Sequence, residues 1–382
     1  MATITDTHLS RALLVTPNAS QTRSKAPGNV GPRDTSQDFP LFASRGEGAY
    51  LFDDRGRKYL DCFGANAAVP LGHAFPAVVE AVTQAVREGN LLSLPSVLEA
   101  SVAERFLEVC APWAHQVRWV KTGSEATHAA LMIARAATGR WRYVRLRESY
   151  HGWHFEWLLD ARDVNWFDAG YELPKVADGE LAAVFIEAPR WKAIDPRWLR
   201  HIADESRACG AVIVFDEMVY GLRWAKGGAA EYYGVTPDLA CFGKALGNGV
   251  PVACVCGPSH LMQHAGLVSG TYGGDMLGLA AADAVLRTYQ ERDVIGELRM
   301  IGLALRDEFG RHAPHEARLE GTPQHWRLVM PDDEALDRVL MASACEGVLV
   351  HRAANSIMAA MTLGEARHAC EVIGRAAAEI LR

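Results

Sequence analysis

The chain has 382 residues, of which 49% are hydrophobic and 22% are charged, and its net charge is −7. A chain of this length can build one large and one smaller domain, each with its own hydrophobic core. The negative charge argues against a nucleic-acid-binding protein, which needs a basic patch. No apolar run approaches the roughly 20 residues that cross a bilayer, and residues 1–20 do not follow the pattern of a signal peptide. We therefore expect a cytoplasmic protein without a membrane segment.

The spacing of the cysteines gives no sign of a metal site. The eight cysteines lie apart in apolar segments, without a C-x-x-C pair or a Cys/His cluster that could bind zinc. We expect buried, reduced thiols and no metal ion.

The predicted elements begin with a polar arm over residues 1–38, which is rich in Ser, Thr, Pro and Gly and has little core of its own. Residues 48–61 then predict a β-hairpin around an Asp-Arg-Gly turn. A strand over 117–122 leads into a helix that runs from Ser124 to a stop at Gly139. Further predicted strands are 141–146, 181–187, 211–217, 239–244 and 252–257, with helices at 196–209 and 275–290.

Apolar strands that alternate with helices are typical of a parallel sheet buried on both faces. The remaining segment, 295–382, predicts helices and three strands (326–330, 347–351 and 357–361), as in a small α/β domain. We therefore predict an α/β protein. Its arm and hairpin (1–60) join the small domain, its large domain covers 61–290, and its small C-terminal domain covers 291–382.

Polar side chains at the carboxyl ends of predicted strands are the candidates for chemistry, because ligands of open α/β sheets bind at that edge. Lys244 ends one apolar strand, where a lysine is either held as a neutral imine or reaches solvent. Asp216 and Glu217 end another strand. Such a pair either binds a cation, for example a protonated ring nitrogen, or serves as a helix cap or surface pair.

Two further segments lie at the same predicted edge. Gly123 and Ser124 join a strand to a helix, where free N–H groups, a hydroxyl and the helix dipole can hold a phosphate, although serine is also an ordinary N-cap. Tyr150 follows the strand at 141–146, either as a ring that stacks on a cofactor or as core packing.

Together these segments resemble the class III, ω-type aminotransferases and the similar glutamate-1-semialdehyde 2,1-aminomutases. The resemblance covers roughly residues 45–290. It rests on the order and spacing of LGH (71–73), GSEAT (123–127), DEMVYGLR (216–223), YGVTPD (233–238) and GKALGNGVP (243–251). It implies the type I fold of pyridoxal 5'-phosphate (PLP)-dependent transferases, with a mainly parallel seven-stranded sheet. It also implies PLP as the cofactor, small amine and carbonyl substrates, and a homodimer with a shared active site.

The resemblance also implies a role for each matching residue. Lys244 would hold PLP as an imine and move the substrate's proton, and Asp216 would pair with the pyridine nitrogen. The other implied contacts are Gly123 and Ser124 at the phosphate, Tyr150 and Met218 on the two faces of the ring, Glu187 near the phenolic side, and Thr271 at the phosphate of the neighbouring subunit.

Some positions depart from the family pattern, including Met218 in place of valine, Ser124 in place of threonine, and Gly273-Gly274-Asp275 in place of Gly-Asn-Pro. These departures leave the identity of the substrate undetermined, but they do not change the expected cofactor. Arg33 lies where related aminomutases have an arginine for a substrate carboxylate, or it is a surface residue. Asn66 and Trp153 lie in segments expected to line the entrance.

The implied reaction is the transfer of an amino group from an amine or amino-acid donor to a carbonyl acceptor. An intramolecular 2,1-aminomutase, a decarboxylase or a racemase would use the same site. A non-catalytic PLP-binding regulator would need a DNA-binding module, for which the polar arm is too short and too weakly basic.

Overall fold

The structure, a computed structural model, describes residues 8–35, 38–158, 164–168, 170–174, 179–188 and 191–382. Residues 1–7, which belong to the segment inspected for a signal peptide, lie outside these ranges. Contacts between residues divide the chain into two units, Pro76–Ile295 and the combination of Met1–Phe75 with Gly296–Arg382. We propose that these units are the large and small domains expected from the sequence.

The strands of the described residues are β1 (Ala43–Glu47), β2 (Tyr50–Asp53), β3 (Lys58–Asp61), β4 (Gln116–Val120), β5 (Arg142–Leu146), β6 (Val164–Phe167), β7 (Leu181–Ile186), β8 (Val212–Asp216), β9 (Leu239–Phe242), β10 (Ala253–Gly257), β11 (Arg318–Thr322), β12 (His325–Val329), β13 (Val348–Leu349) and β14 (Asn355–Ser356). The helices are α1 (His8–Val15), α2 (Gly64–Ala67), α3 (Pro76–Glu88), α4 (Val97–Cys110), α5 (Gly123–Thr138), α6 (Phe155–Leu158), α7 (Pro196–Ala208), α8 (Gly228–Tyr233), α9 (Ser259–Met262), α10 (Met276–Glu291), α11 (Val294–His312), α12 (Asp333–Cys345) and α13 (Leu363–Ile380). Each of these helices is too short or too polar to cross a bilayer.

A seven-stranded sheet in the order β4-β10-β9-β8-β7-β5-β6 forms the centre of the Pro76–Ile295 unit. Strands β6, β5, β7, β8 and β9 run parallel to one another, whereas β10 is antiparallel to both β9 and β4. Strands β7 to β10 are buried along their whole length. The mainly parallel sheet expected from the sequence is therefore confirmed, and the carboxyl ends of its parallel strands meet at one edge.

Successive residues of β8 pack into two different hydrophobic cores, because side chains alternate across a sheet. Val212 and Val214 belong to the core that contains the apolar side of α5. Ile213 and Phe215 belong to the core that contains Leu199 and other residues of α7. The sheet is thus covered on both faces, and both helices are held in fixed positions against it.

The other unit contains two smaller sheets, in the orders β1-β2-β3-β13 and β11-β12-β14. The predicted hairpin is confirmed, since β2 and β3 pair antiparallel with Tyr50 opposite Leu60. The strand predicted at 357–361 is wrong. The ladder with β12 is made instead by Asn355 and Ser356. The backbone of the residues that follow bonds to loops, as where the N–H of Ala359 donates to the Pro70 carbonyl.

The eight cysteines are all free thiols. Six are buried, and Cys209 and Cys345 are exposed. Burial raises the pKa of thiols such as those of Cys62 and Cys256, so these groups stay protonated and unreactive. In the described parts of the chain, no three His, Cys, Asp or Glu side chains are grouped so that they could hold a metal ion.

Helix α2 is a single turn with left-handed backbone. The φ angles of Gly64, Ala65, Asn66 and Ala67 are 57°, 50°, 62° and 66°. A left-handed conformation costs a non-glycine residue about 1–2 kcal/mol, so the surrounding unit must hold this turn. The flanking residues show how: Phe63 stacks on His351 at a ring-centroid distance of 4.0 Å, and the Cys62 carbonyl accepts the N–H of Ser356 at 2.7 Å.

We predict that Ala65→Gly stabilises the protein, because glycine adopts φ 50° without a steric cost. The free energy of unfolding should rise by about 1 kcal/mol, measured by urea denaturation followed by circular dichroism. Ala68 is the matched control, since it is also half-buried but has φ −88°. Ala68→Gly should destabilise by roughly 0.5–1 kcal/mol. A decrease of similar size in both variants would contradict the assignment of strain to this turn.

Candidate active site

Asp216 is a buried carboxylate at the carboxyl end of β8. Its side chain is 1% exposed, and its Oδ2 lies 2.7 Å from Nδ1 of His151. Its Oδ1 accepts the backbone N–H of Met218 at 3.0 Å. A carboxylate needs such partners to remain in the protein interior. The hydrogen bonds fix both oxygens of Asp216 at the edge where the parallel strands end.

His151 is the residue that sequence reasoning missed. Its side chain is fully buried beside the rings of Trp157 and Phe185. Because an ionised carboxylate can only accept hydrogen bonds, His151 must carry a proton on Nδ1 in order to donate to Asp216. The only signal in the sequence was its position directly after Tyr150, in a segment that leaves the same edge of the sheet.

Glu217 does not share the environment of Asp216, although the two residues are consecutive. Its two oxygens accept the N–H groups of Ala229 and Ala230 at 2.7 and 2.9 Å, at the start of α8. Burial raises the pKa of Glu217 to about 8, and these two hydrogen bonds partly oppose that shift. Of the two carboxylates, Glu217 caps a helix and Asp216 is the one that faces His151.

Helix α5 begins at Gly123, and its N-cap is Thr122 rather than Ser124. Thr122 and Glu125 form a capping box, in which the Glu125 carboxylate accepts the N–H of Thr122 at 2.8 Å. The N–H groups of Gly123 and Ser124 lie in the first turn, where a helix supplies no acceptor of its own. At the start of a 16-residue helix they form a suitable site for an anion.

The segment that carries Tyr150 is held against this first turn. A side chain on Gly152 is excluded, since a Cβ there would lie 2.5 Å from Oγ of Ser124. The hydroxyl of Thr127 donates to the carbonyl of His151, and Ser124 Oγ accepts the N–H of Trp153 at 3.4 Å. The structure thus brings Ser124, Tyr150 and Trp153 into one region.

Glu187 is joined to the same segment from the end of β7. Its carboxylate is buried and accepts the backbone N–H of Tyr150 at 2.8 Å. Tyr150 itself is 58% exposed. A cavity of about 470 Å³ extends beside this contact, with Glu187, residues 146–149, Trp191 and Trp198 in its lining.

Met218 connects the start of α5 with the residue before Lys244. A Cβ on Gly123 would lie 2.9 Å from the sulfur of Met218, and a Cβ on Gly243 would lie 2.8 Å from it. Lys244 itself is half-buried and has a left-handed backbone, with φ 46°. Strain of this kind often occurs at functional sites.

Strand pairing brings Lys244 to the edge that carries Asp216. Asp216 lies opposite Cys241 in the parallel pair of β8 and β9, and Lys244 follows Cys241 by three residues. The amine-bearing and the acid-bearing segments therefore end side by side.

Thr271 is exposed, in the segment that precedes α10. Asp275 caps α10 by accepting the N–H of Gly278 at 3.1 Å, and it also forms an ion pair with Lys121. Because Lys121 directly precedes the N-cap of α5, this ion pair ties the start of α5 to the segment that follows Thr271.

Arg33 and Asn66 belong to the other unit of the chain. The guanidinium of Arg33 lies 2.6 Å from the carboxylate of Asp333 on the surface of that unit. The backbone N–H of Arg33 donates to the Asp337 carboxylate at 3.2 Å. Asn66 is part of the left-handed turn described above.

Comparison with known proteins identifies the family. The model of the class III aminotransferase family matches residues 32–170 and 167–363. Two curated relatives are both called glutamate-1-semialdehyde 2,1-aminomutase. The relative from Roseiflexus castenholzii is 34% identical over 342 residues, covering 78% of this chain and 77% of its own. The relative from Rhodopirellula baltica is 32% identical over 338 residues, covering 79% and 75%.

Solved structures confirm the predicted fold. The PLP internal aldimine form of the FumI protein from Sphingopyxis sp. MTA144 has a TM-score of 0.87 at 24% identity and covers 98% of this chain and 96% of its own. An omega-transaminase from Sphaerobacter thermophilus has a TM-score of 0.85 at 23% identity, with coverage of 98% and 97%. The sequence matches go beyond the fold, and this chain belongs to the class III aminotransferase family of PLP-dependent enzymes.

Proposed function

We propose that this enzyme transfers an amino group from an amine or amino-acid donor to a carbonyl acceptor, with PLP held by Lys244 and Asp216. The observation that carries the proposal is the buried Asp216 carboxylate, fixed by His151 at the edge of the sheet where the Lys244 segment also ends. This chemistry requires a lysine and an aspartate that bind opposite ends of one heterocycle.

The residues of the site fit PLP. Two hydrogen bonds occupy only part of the acceptor capacity of Asp216, since a carboxylate has about four lone-pair sites. Asp216 can therefore accept a further bond from a protonated ring nitrogen. The first turn of α5, with Gly123 and Ser124, suits the phosphate. Tyr150 and Met218 would contact the two faces of the ring, Glu187 its phenolic side, and Thr271 the phosphate of a second subunit.

PLP, when bound, supplies an electron sink for the negative charge that develops at the substrate's Cα. Lys244 Nζ is the base that accepts the proton from that Cα. Asp216 would face the ring nitrogen, where its carboxylate would favour the protonated form of that nitrogen. His151 donates its Nδ1–H to Asp216, which fixes the orientation of the carboxylate, and the apolar rings around His151 exclude water from that bond.

An intramolecular 2,1-aminomutase is the second candidate, because the two relatives with 34% and 32% identity carry that name. The two functions differ in stoichiometry, since a mutase turns over without a second substrate and a transaminase stalls without a carbonyl acceptor. Arg33, the residue that the resemblance implies for a substrate carboxylate in the aminomutases, pairs here with Asp333.

The same proposal includes a cytoplasmic homodimer with a shared active site. Eight free thiols suit a reducing compartment. Large side chains are exposed on the segment that follows Asn90 and on the segment that contains Thr271, and such a surface suits a subunit interface: Leu94 is 78% exposed, Val97 87% and Tyr272 55%. They belong to neighbouring segments, because the backbone N–H of Met276 donates to the Asn90 carbonyl.

The direct test is the visible absorbance of the purified enzyme, which we expect to decay when a competent amine or amino acid is added and to recover with a carbonyl acceptor. Lys244→Ala should retain bound PLP but lose turnover by about 10²–10⁴-fold, the usual contribution of a general base. Lys226, which is also half-buried in the same unit, is the control, and Lys226→Ala should react normally. Normal turnover by Lys244→Ala would refute the assignment.

We predict that His151→Phe lowers kcat for amino transfer by roughly 10–100-fold, because a hydrogen bond to a charged group contributes about 1.5–3 kcal/mol. His151→Asn keeps an N–H donor and should lose less. Stopped-flow measurement of the half-reaction with the amine donor distinguishes the two variants. Equal rates for His151→Phe and the wild type would mean that this bond does not contribute to catalysis.

We predict that Leu94→Glu converts the dimer to a single chain, because a charge within an apolar interface is costly to bury. Sedimentation equilibrium measures the mass, and activity should fall together with it if the site is shared. Leu303, 45% exposed in the other unit, is the control, and Leu303→Glu should leave the mass unchanged. A dimeric and fully active Leu94→Glu variant would place the interface elsewhere.

A further inference from the structure

Three stacked rings connect α5 with the segment that follows Tyr150. The ring centroids of Trp153 and His154 are 5.0 Å apart with an interplanar angle of 15°. His154 in turn stacks on His128 of α5, at 4.7 Å and 27°. The side chain of Trp153, at the outer end of this stack, is 66% exposed. One face of the indole is therefore supported, while most of its surface is open.

The backbone on both sides of Trp153 is fixed. On one side, Gly152 packs against Ser124, and the N–H of Trp153 donates to the Ser124 hydroxyl. On the other side, the hydroxyl of Tyr143 donates to the carbonyl of Glu156, and a buried arginine, Arg145, donates to the carbonyl of Trp157 at 2.8 Å. The exposed indole thus lies on a segment whose backbone is fixed, next to the start of α5.

A large apolar ring that is held in place but left exposed suits contact with a ligand. Little side-chain entropy remains to be lost on binding, because the stack already restricts the indole. Flat aromatic groups gain additional stabilisation against such a ring beyond the area that they bury. The one carboxylate of the adjoining helix α6, Glu156, lies 3.8 Å from the guanidinium of Arg135, which balances its charge.

We propose that Trp153 is a specificity-determining residue that selects donors with a flat aryl substituent, and that His154 is the positioning residue for its indole. This inference rests on the proposed function and names the substrate class of the same site. The aryl group lies against the open face of Trp153 while the amine reaches the edge that carries Lys244.

The test compares 2-phenylethylamine with 2-cyclohexylethylamine, which have the same carbon skeleton but differ in the flat ring. The wild type should prefer the phenyl compound by about 3- to 10-fold in kcat/KM. Trp153→Ala should abolish this preference through KM, with kcat little changed. Trp141 is the matched control: it is 59% exposed and precedes β5, at the opposite end of the strand. Trp141→Ala should keep the preference.

His154 provides a second and independent measurement. His154→Phe retains a flat ring behind the indole and should keep the preference for the phenyl compound, whereas His154→Leu should lose it. If His154 served only in folding, His154→Phe and His154→Leu would not differ in the ratio of their KM values for the two amines.

Three outcomes would overturn the inference. One is an equal loss for both amines in Trp153→Ala, and another is a wild type that reacts with other donors but with neither of these amines. The third is a change of mass in solution for Trp153→Ala, which would assign the indole to a subunit interface. Failure of the wild type to react with any amine or amino acid would instead reject the proposed function, and this inference with it.

Discussion

The site depends on one hydrogen bond between two buried side chains, His151 and Asp216. A carboxylate at the end of β8 is surrounded by apolar strands and would be costly to leave without a partner. The 2.7 Å contact with His151 removes that cost and at the same time fixes the direction of the carboxylate. The other candidate groups are arranged around it, because His151 lies in the segment that also carries Tyr150 and Trp153, and that segment rests on the first turn of α5.

The sheet shows which parts of a fold the sequence reveals. Strands such as β8 were predictable because their residues enter two cores alternately and are all apolar until Asp216. Strands β1, β6 and β11 were missed, and all three are edge strands. The residues of β11, Arg318–Thr322, are only partly buried and include charged side chains, so no apolar pattern marks them. At 357–361 an apolar run led to the prediction of a strand that is absent, because these residues pack within loops rather than in a ladder.

The site could be predicted in part for a similar reason. Lys244, Asp216 and Ser124 stand at element boundaries, where the sequence pattern changes, and their segments match a family. His151 has no such signal, because its role arises from a contact across 65 positions of the chain. The ion pair of Lys121 with Asp275, which spans 154 positions, was hidden in the same way. The sequence also could not distinguish the environments of Asp216 and Glu217, because the difference depends on where α8 lies.

The packing of Met218 has a consequence for how this protein can change during evolution. Its thioether fills the space that a side chain on Gly123 or on Gly243 would need. A side chain at either position would therefore require the flexible end of Met218 to move. A shorter side chain at 218, such as valine, would leave more room on both sides at once. A substitution at any one of these three positions therefore affects the packing at the others, although they lie far apart in the chain.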